Sequence, residues 1–350
     1  MSIQSHCVRA WYEGRWWLHL LRPVSWLFRG LSAFRRRRLL RSHSNQFLHN
    51  KGRTVPVIVV GNITLGGTGK TPMLMALVER LQREGYRPGV ISRGYGRSVG
   101  LDDAIVIANQ NSTAAELGDE PFMIYQRCVC PLAIGADRFQ VAKTLLESHD
   151  CDVLISDDGL QHYHLNRQIE IALVDGERGL GNGFCLPAGP LREPPGRLRS
   201  VDFVVVNGLA KNETPLPTEK QFLMSLAPTV WHKVGEQTQM REFSSFQQTP
   251  NLHAIAGIGN PKRFLDVLRT HSLQFSERAF PDHYDYKTTD LPQGSTVLMT
   301  EKDAVKCAAF TPSKAWFLRV DAVLPEPFWT QILDKLAKSA SNTEIGESSL

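Results

Sequence analysis

A lysine and a threonine behind a run of glycines mark the first place where this chain could do chemistry. Residues 61–71 read Gly-Asn-Ile-Thr-Leu-Gly-Gly-Thr-Gly-Lys-Thr. A short β-branched run, residues 55–60, precedes them, and an apolar helical pattern through Met73, Leu74, Leu77, Val78 and Leu81 follows. Strand, glycine-rich turn, Lys-Thr and helix in that order are the context of a phosphate-binding P-loop. In such a loop the backbone N–H groups of Thr64, Gly66, Gly67, Thr68 and Gly69 curl around phosphate oxygens, and the helix start adds its positive dipole end. Lys70 then reaches the β- and γ-phosphates and the Thr71 hydroxyl ligates Mg²⁺, so the expected cofactors are ATP and Mg²⁺. Thr64 stands where the pattern has its first glycine, and the tandem Gly66-Gly67 supplies the flexibility instead.

Acids come next. The apolar run from Cys151 ends in Asp157-Asp158-Gly-Leu-Gln161-His162. Adjacent carboxylates are costly without a cation or a partner, and a strand-terminal Asp in a P-loop protein supports Mg²⁺; a solvated Asp-Gly turn is the plainer alternative. Gly118-Asp119-Glu120-Pro121 puts two more acids at a helix start, where spacing alone equally fits a cap with first-turn acids. Ser92-Arg93-Gly94-Tyr95-Gly96-Arg97 is a basic, glycine-spaced loop suited to a phosphate or sugar phosphate, or to a simple turn.

These groups need a frame. Val90–Ser92, Ala104–Ala108, Pro131–Ala133, Val153–Ser156, Ile169–Val174 and Val201–Val206 read as strands, with helices over residues 114–127 and 138–148 between them. Such alternation predicts an α/β, P-loop NTPase-like doubly wound sheet whose ligands lie beyond the carboxyl ends of the strands. Further on, residues 253–264 read as strand, Gly turn and helix, and 297–303 and 315–320 as strand segments, predicting a second, smaller α/β domain. The expected organisation is an amphipathic segment at 1–45, a P-loop domain at 46–210, a smaller domain at 211–337 whose loops close over the site, and a disordered tail at 338–350. Residues 212–219, with two prolines and two glutamates, read as the linker between the domains.

The charge is lopsided. The 350 residues sum to +5, but the first fifty carry nine Arg, no Lys and only Glu13, a net of +8, leaving −3 for the rest. A uniformly basic nucleic-acid binder is thereby excluded, so no nucleic-acid partner is expected. At 42 % hydrophobic and 21 % charged residues, whole-chain disorder is excluded too. Six cysteines without a CxxC pair read as buried free thiols in a reducing compartment.

Four of the seven Trp fall in the same basic head, at 11, 16, 17 and 26, among Leu and Phe residues that run into Arg35-Arg36-Arg37-Arg38. Arg22, Pro23 and Arg29 interrupt every apolar run before it reaches the length of a membrane span. The basic cluster follows the apolar one, the reverse of a secretory signal. Tryptophan and arginine together suit the headgroup layer, which predicts a monotopic helix on an anionic membrane surface. A solvated or partly packed amphipathic helix is the alternative.

Taken in order, GNITLGGTGKTP, SRGYGR, GDEP, DDGLQH, PAGPLREP, GIGNPKRF, FPDHY and TEKDAVK resemble the tetraacyldisaccharide 4′-kinase family of lipid A biosynthesis, over roughly residues 10–320. The resemblance implies transfer of the ATP γ-phosphoryl group to the 4′-hydroxyl of a tetraacylated glucosamine disaccharide 1-phosphate, giving lipid IVA, at the cytoplasmic face of the bacterial inner membrane. It also implies that Asp119 is the general base, partnered by His283 of FPDHY, a residue that by itself reads as a loop or capping histidine. Glu120, Asp157 and Asp158 then gather around Mg²⁺, and Arg93, Tyr95, Gln161 and Arg192 around the substrate. A membrane-associated partitioning ATPase is the rival from another class; its signature lysine position holds Leu65 here. Neither acyl-chain preference nor oligomeric state follows from the sequence.

Overall fold

The structure, a computed structural model, describes residues 3–43, 47–97, 104–209, 218–282, 284–310 and 314–347. A 13-stranded sheet organises it. At its centre Phe203–Asn207, Ile169–Asp175, Val57–Asn62, Val153–Asp157, Pro88–Ser92 and Leu132–Ile134 lie side by side in that order, all parallel, with the short Val106–Ile107 antiparallel at the edge. Val57–Asn62 and Val153–Asp157 are buried at every position, as strands covered on both faces must be. Their carboxyl ends point the same way, so the P-loop after Asn62 and the acids at Asp157 and Asp158 emerge as neighbours.

The expected division at residue 210 is not a gap in the sheet. Gln221–Lys233 pairs parallel with Phe203–Asn207 through its first residues and antiparallel with Ala315–Val323 through the remainder. One long strand thus belongs to both halves and carries the sheet on to Thr296–Thr300, Leu252–Ala256 and Ser276–Ala279. The linker expected over 212–219 falls mostly outside the described residues. Mixed exposure along Gln221–Lys233 hides this shared strand from an apolar-run reading.

A long helix closes the described chain. It spans Glu326–Glu347, covering most of the stretch whose Ser, Asn and Glu content predicts a disordered tail. Leu324, Phe328, Trp329, Ile332 and Leu336 pack into the core beneath the P-loop helix, Lys70–Arg83. Phe328 sits edge-on to Phe203 and Phe222, 5.4 and 5.3 Å away. The spacing 328, 332, 336 is one helical face.

The basic head is two helices, not one: Ile3–Glu13 and Arg22–His43, joined by a 3₁₀ turn at Trp16–Leu21. Trp11 and Leu18 are buried in a small cluster that also holds Leu186 and Leu65 of the P-loop turn. Trp11 Nε1 donates to the Pro187 carbonyl at 3.0 Å, and Ser25 Oγ to the Cys185 carbonyl at 2.7 Å. The head is therefore seated on the loop that borders the P-loop. No helix among the described residues is long and apolar enough to cross a membrane. The six cysteines are free thiols.

Candidate active site

The P-loop helix begins at Lys70 because Gly69 can turn the chain into it. Gly69 has φ +90°, and a Cβ there would meet Asn207 Nδ2 at 2.5 Å, so a side chain is excluded by both backbone and space. Asn207, at the end of its strand, donates to the Thr68 carbonyl at 3.1 Å. Asn62 closes the other side, donating to the Gly66 carbonyl at 3.3 Å, while Arg178 donates to the Gly67 carbonyl. Thr64, where the pattern has glycine, is buried and bridged to Leu191; the Leu65 N–H donates to Pro190 and the Arg192 N–H to Ile63. The PAGPLREP segment thus clasps the entrance of the loop and needs no glycine there.

Charges of both signs converge on that helix start. Lys70 Nζ lies 3.4 Å from Asn62 Oδ1 and 3.5 Å from Asp158 Oδ1. Asp158 takes a left-handed φ of +47°, and Arg192 bonds its other oxygen at 2.9 Å. Burial opposes ionisation of Asp158, but Lys70 and Arg192 outweigh it and hold the carboxyl below the usual range. Gln161 Nε2 donates to the Asn62 carbonyl at 3.2 Å and to Glu193 at 2.8 Å, tying the DDGLQH turn to the P-loop strand.

Asp157 is the odd member. It is 6 % exposed, accepts one bond from Ser92 Oγ at 2.9 Å, and leaves Oδ1 buried without a partner. Burial, then repulsion from Glu120 and Asp158, push its carboxyl up to about 6 despite Lys70. Thr71 Oγ1 reaches Glu120 Oε2 at 3.5 Å. Oxygen donors of this kind, with one orphaned carboxylate oxygen beside the P-loop threonine, suit a hard divalent cation. Among the described residues no three acids, histidines or cysteines form a cage able to hold a metal ion alone. A cation completed by nucleotide phosphates requires no such cage.

Gly118 breaks the helix expected over 114–127 into Ala114–Leu117 and Asp119–Cys128. Its φ is +88°, and a Cβ would come within 2.4 Å of the Tyr95 carbonyl oxygen, so the SRGYGR loop lies directly on this break. The break places Asp119 and Glu120 in a new first turn, from which Glu120 meets Thr71 of the P-loop helix. Arg93 and Tyr95 stay exposed on the adjoining loop, Tyr95 by 70 %. His283 lies outside the described residues.

Several participants escape a sequence reading. Lys302 Nζ lies 3.0 Å from Glu120 Oε1 and 3.4 Å from Asp282 Oδ1, and Lys306 Nζ 3.5 Å from Asp119 Oδ2. Both lysines come from the short helix Glu301–Cys307 in the far half of the chain. The Gly turn at 257–259 approaches the P-loop too: a Cβ on Gly259 would be 3.8 Å from the Gly67 nitrogen. Asn207, Arg178, Lys302 and Lys306 leave one usable signal, the i, i+4 lysine spacing inside TEKDAVK.

The family model for tetraacyldisaccharide-1-P 4′-kinase matches residues 17–337. A tetraacyldisaccharide 4′-kinase of Hahella chejuensis is 44 % identical over 345 residues, covering 97 % of this chain and 98 % of its own. That of Shewanella baltica is 46 % identical over 347 residues, 97 % of each. Among solved structures, LpxK from Aquifex aeolicus in complex with ATP superposes with a TM-score of 0.74 at 28 % identity, over 92 % of this chain and 99 % of that one. By its sequence along almost its whole length and by its fold, the chain belongs to the tetraacyldisaccharide 4′-kinase family.

Proposed function

We propose that this chain transfers the γ-phosphoryl group of ATP to the 4′-hydroxyl of a tetraacylated glucosamine disaccharide 1-phosphate at a membrane surface. The observation that carries the reading is the convergence of Lys70, Thr71, Glu120, Asp157, Asp158 and Arg192 at one helix N-terminus in a member of this family. The loop N–H groups of residues 66–71 and the Lys70 ammonium hold the β- and γ-phosphates. Thr71 and Asp157, with Glu120 and Asp158 around them, would hold Mg²⁺, which would offset the charge of the phosphates.

Asp119 takes the proton of the attacking hydroxyl as the new P–O bond forms, with His283 orienting it. Asp119 is suited to this by its place in the first helical turn, one residue from Glu120 and beside the loop of Arg93 and Tyr95. Those two residues, with Gln161 and Arg192, line the approach of the phosphorylated sugar. Arg192 already neutralises Asp158 and can share its charge with the transferring group.

The lipid reaches this site from the head. Val24, Leu27, Leu31 and Phe34 are spaced three, four and three residues apart on one face of Arg22–His43, and all are more than half exposed. Trp16, Leu20 and Trp26 extend the surface. Arg35, Arg37 and Arg38 project beside it, whereas Arg36 turns inward to Ser200 and the Tyr163 ring. An apolar stripe edged by arginines seats in an anionic interface, and the head's contact with Leu65 brings the P-loop to that surface. The test is direct: purified protein with Mg²⁺, ATP and detergent-dispersed disaccharide 1-phosphate should give a lipid heavier by one phosphate. ATP binding without that product would reject the assignment.

A further inference from the structure

The helix Glu301–Cys307 crosses from the far half of the chain to the acids of the near half, and the established P-loop chemistry gives it no task. Lys302 and Lys306, four residues apart, share one face of it. Each is largely covered, 15 % and 9 % exposed at the side chain, a costly position for an ammonium group unless it has partners. The partners form a pattern. Lys302 joins Glu120 (3.0 Å) to Asp282 (3.4 Å), and Lys306 joins Asp119 (3.5 Å) to the Tyr284 carbonyl (3.3 Å). Asp282 and Tyr284 are the two residues that flank His283 in the chain.

The helix that carries the lysines is itself fixed. Asp303, fully buried between them, accepts the Gly257 N–H on both oxygens at 3.1 Å, the Tyr286 hydroxyl at 3.0 Å and the Thr300 hydroxyl at 2.6 Å. Thr300 in turn caps the helix by accepting the Asp303 N–H at 3.2 Å. The lysines therefore project from a rigid support, anchored to the Gly turn that approaches the P-loop.

We propose that Lys302 and Lys306 are positioning residues for phosphoryl transfer, a double clamp that ties the two acids Asp119 and Glu120 to the two neighbours of His283. The proposal rests on the reading of Asp119 and His283 as the proton-accepting pair, two groups from opposite halves of the chain that must meet within hydrogen-bond reach. A misplacement of about 1 Å in such a pair lowers a rate by on the order of 10²-fold, whereas nucleotide held by the P-loop is untouched. In this role the clamp acts through Asp119, Glu120, Asp282 and Tyr284.

The test uses the full chain with Lys302→Met, Lys306→Met and the corresponding arginine variants. Each methionine variant should lower kcat by about 10- to 100-fold with the KM for ATP within about twofold, and arginine should restore most of the rate. Hydrogen exchange over residues 280–290, where the Tyr284 N–H bonds the Pro281 carbonyl at 3.2 Å, should quicken in the methionine variants alone. Asp282→Asn should reproduce Lys302→Met, and the double variant should lose little more than either. Unchanged kcat, unchanged exchange in that segment, or a loss matched by faster exchange throughout the molecule would each overturn the clamp. If a methionine variant fails to fold, the glutamine variant and Asp282→Asn carry the same readouts. Should the wild type phosphorylate no lipid, the catalytic reading fails while the exchange measurement still decides whether the lysines hold the loop.

Discussion

Replacing Asp157 by Asn should make the nucleotide-free protein more stable while removing the proposed Mg²⁺ ligand. Asp157 is buried with one unpartnered oxygen, and burial, then Glu120 and Asp158, raise its carboxyl from 3.8 to about 6. The native state therefore holds a proton that the unfolded chain releases between those values. Since the native state binds more protons there, stability falls as pH rises through that window, and the whole cost is present above it. A raise of roughly two pH units corresponds to about 3 kcal/mol at pH 8, of which about half is present at pH 5. Asparagine carries no charge at any of these pH values and keeps an oxygen for the Ser92 hydroxyl. Urea unfolding of both proteins without nucleotide or metal, at pH 5 and pH 8, measures the difference. The variant should be more stable by about 1–3 kcal/mol at pH 8 and by roughly half that at pH 5. An asparagine variant equal to or weaker than wild type at pH 8 would refute the argument, since Asp157 would then be paid for as an anion within the apo fold.

Other residues give sharper functional contrasts. Asp119→Asn should reduce kcat by about 10²–10⁴-fold while leaving ATP affinity within about twofold, measured by steady-state kinetics alongside isothermal titration; equal losses of rate and stability would mark it as a cap. Gly69→Ala should destabilise the chain by about 1–3 kcal/mol in thermal melts and weaken ATP binding, because both its φ of +90° and the 2.5 Å approach to Asn207 oppose a Cβ. Leu27→Glu with Leu31→Glu should cut sedimentation with anionic vesicles at least tenfold and leave thermal stability unchanged, as both side chains are more than 60 % exposed. Unchanged sedimentation would leave the apolar stripe without a membrane role.

What the sequence reveals of this molecule follows the range of the forces involved. The P-loop is legible because strand, glycine turn and helix are consecutive, and each residue's contribution is local. The acids at 157 and 158 are legible for the same reason, as the end of an apolar strand. Gly118 is only partly so: its neighbours have helical periodicity, and the break comes from a carbonyl of residue 95 pressing where a Cβ would be. Lys302 and Lys306 lie about 180 residues from the acids they meet, and nothing in their own surroundings points to those partners. The shared strand Gln221–Lys233 is mixed in exposure, so its role in joining the two halves shows only in the pairing. After residue 338 the composition turns polar, while the helix that begins at Glu326 with a buried face runs to Glu347.

The central claim is a single group transfer, and following the phosphate tests it most directly. With γ-labelled ATP, Mg²⁺ and the tetraacylated disaccharide 1-phosphate, the label should appear on the 4′-oxygen of the lipid, one per ADP released, and Lys70→Ala should abolish it. Label released as free phosphate, or found at any other position of the sugar, would contradict the account.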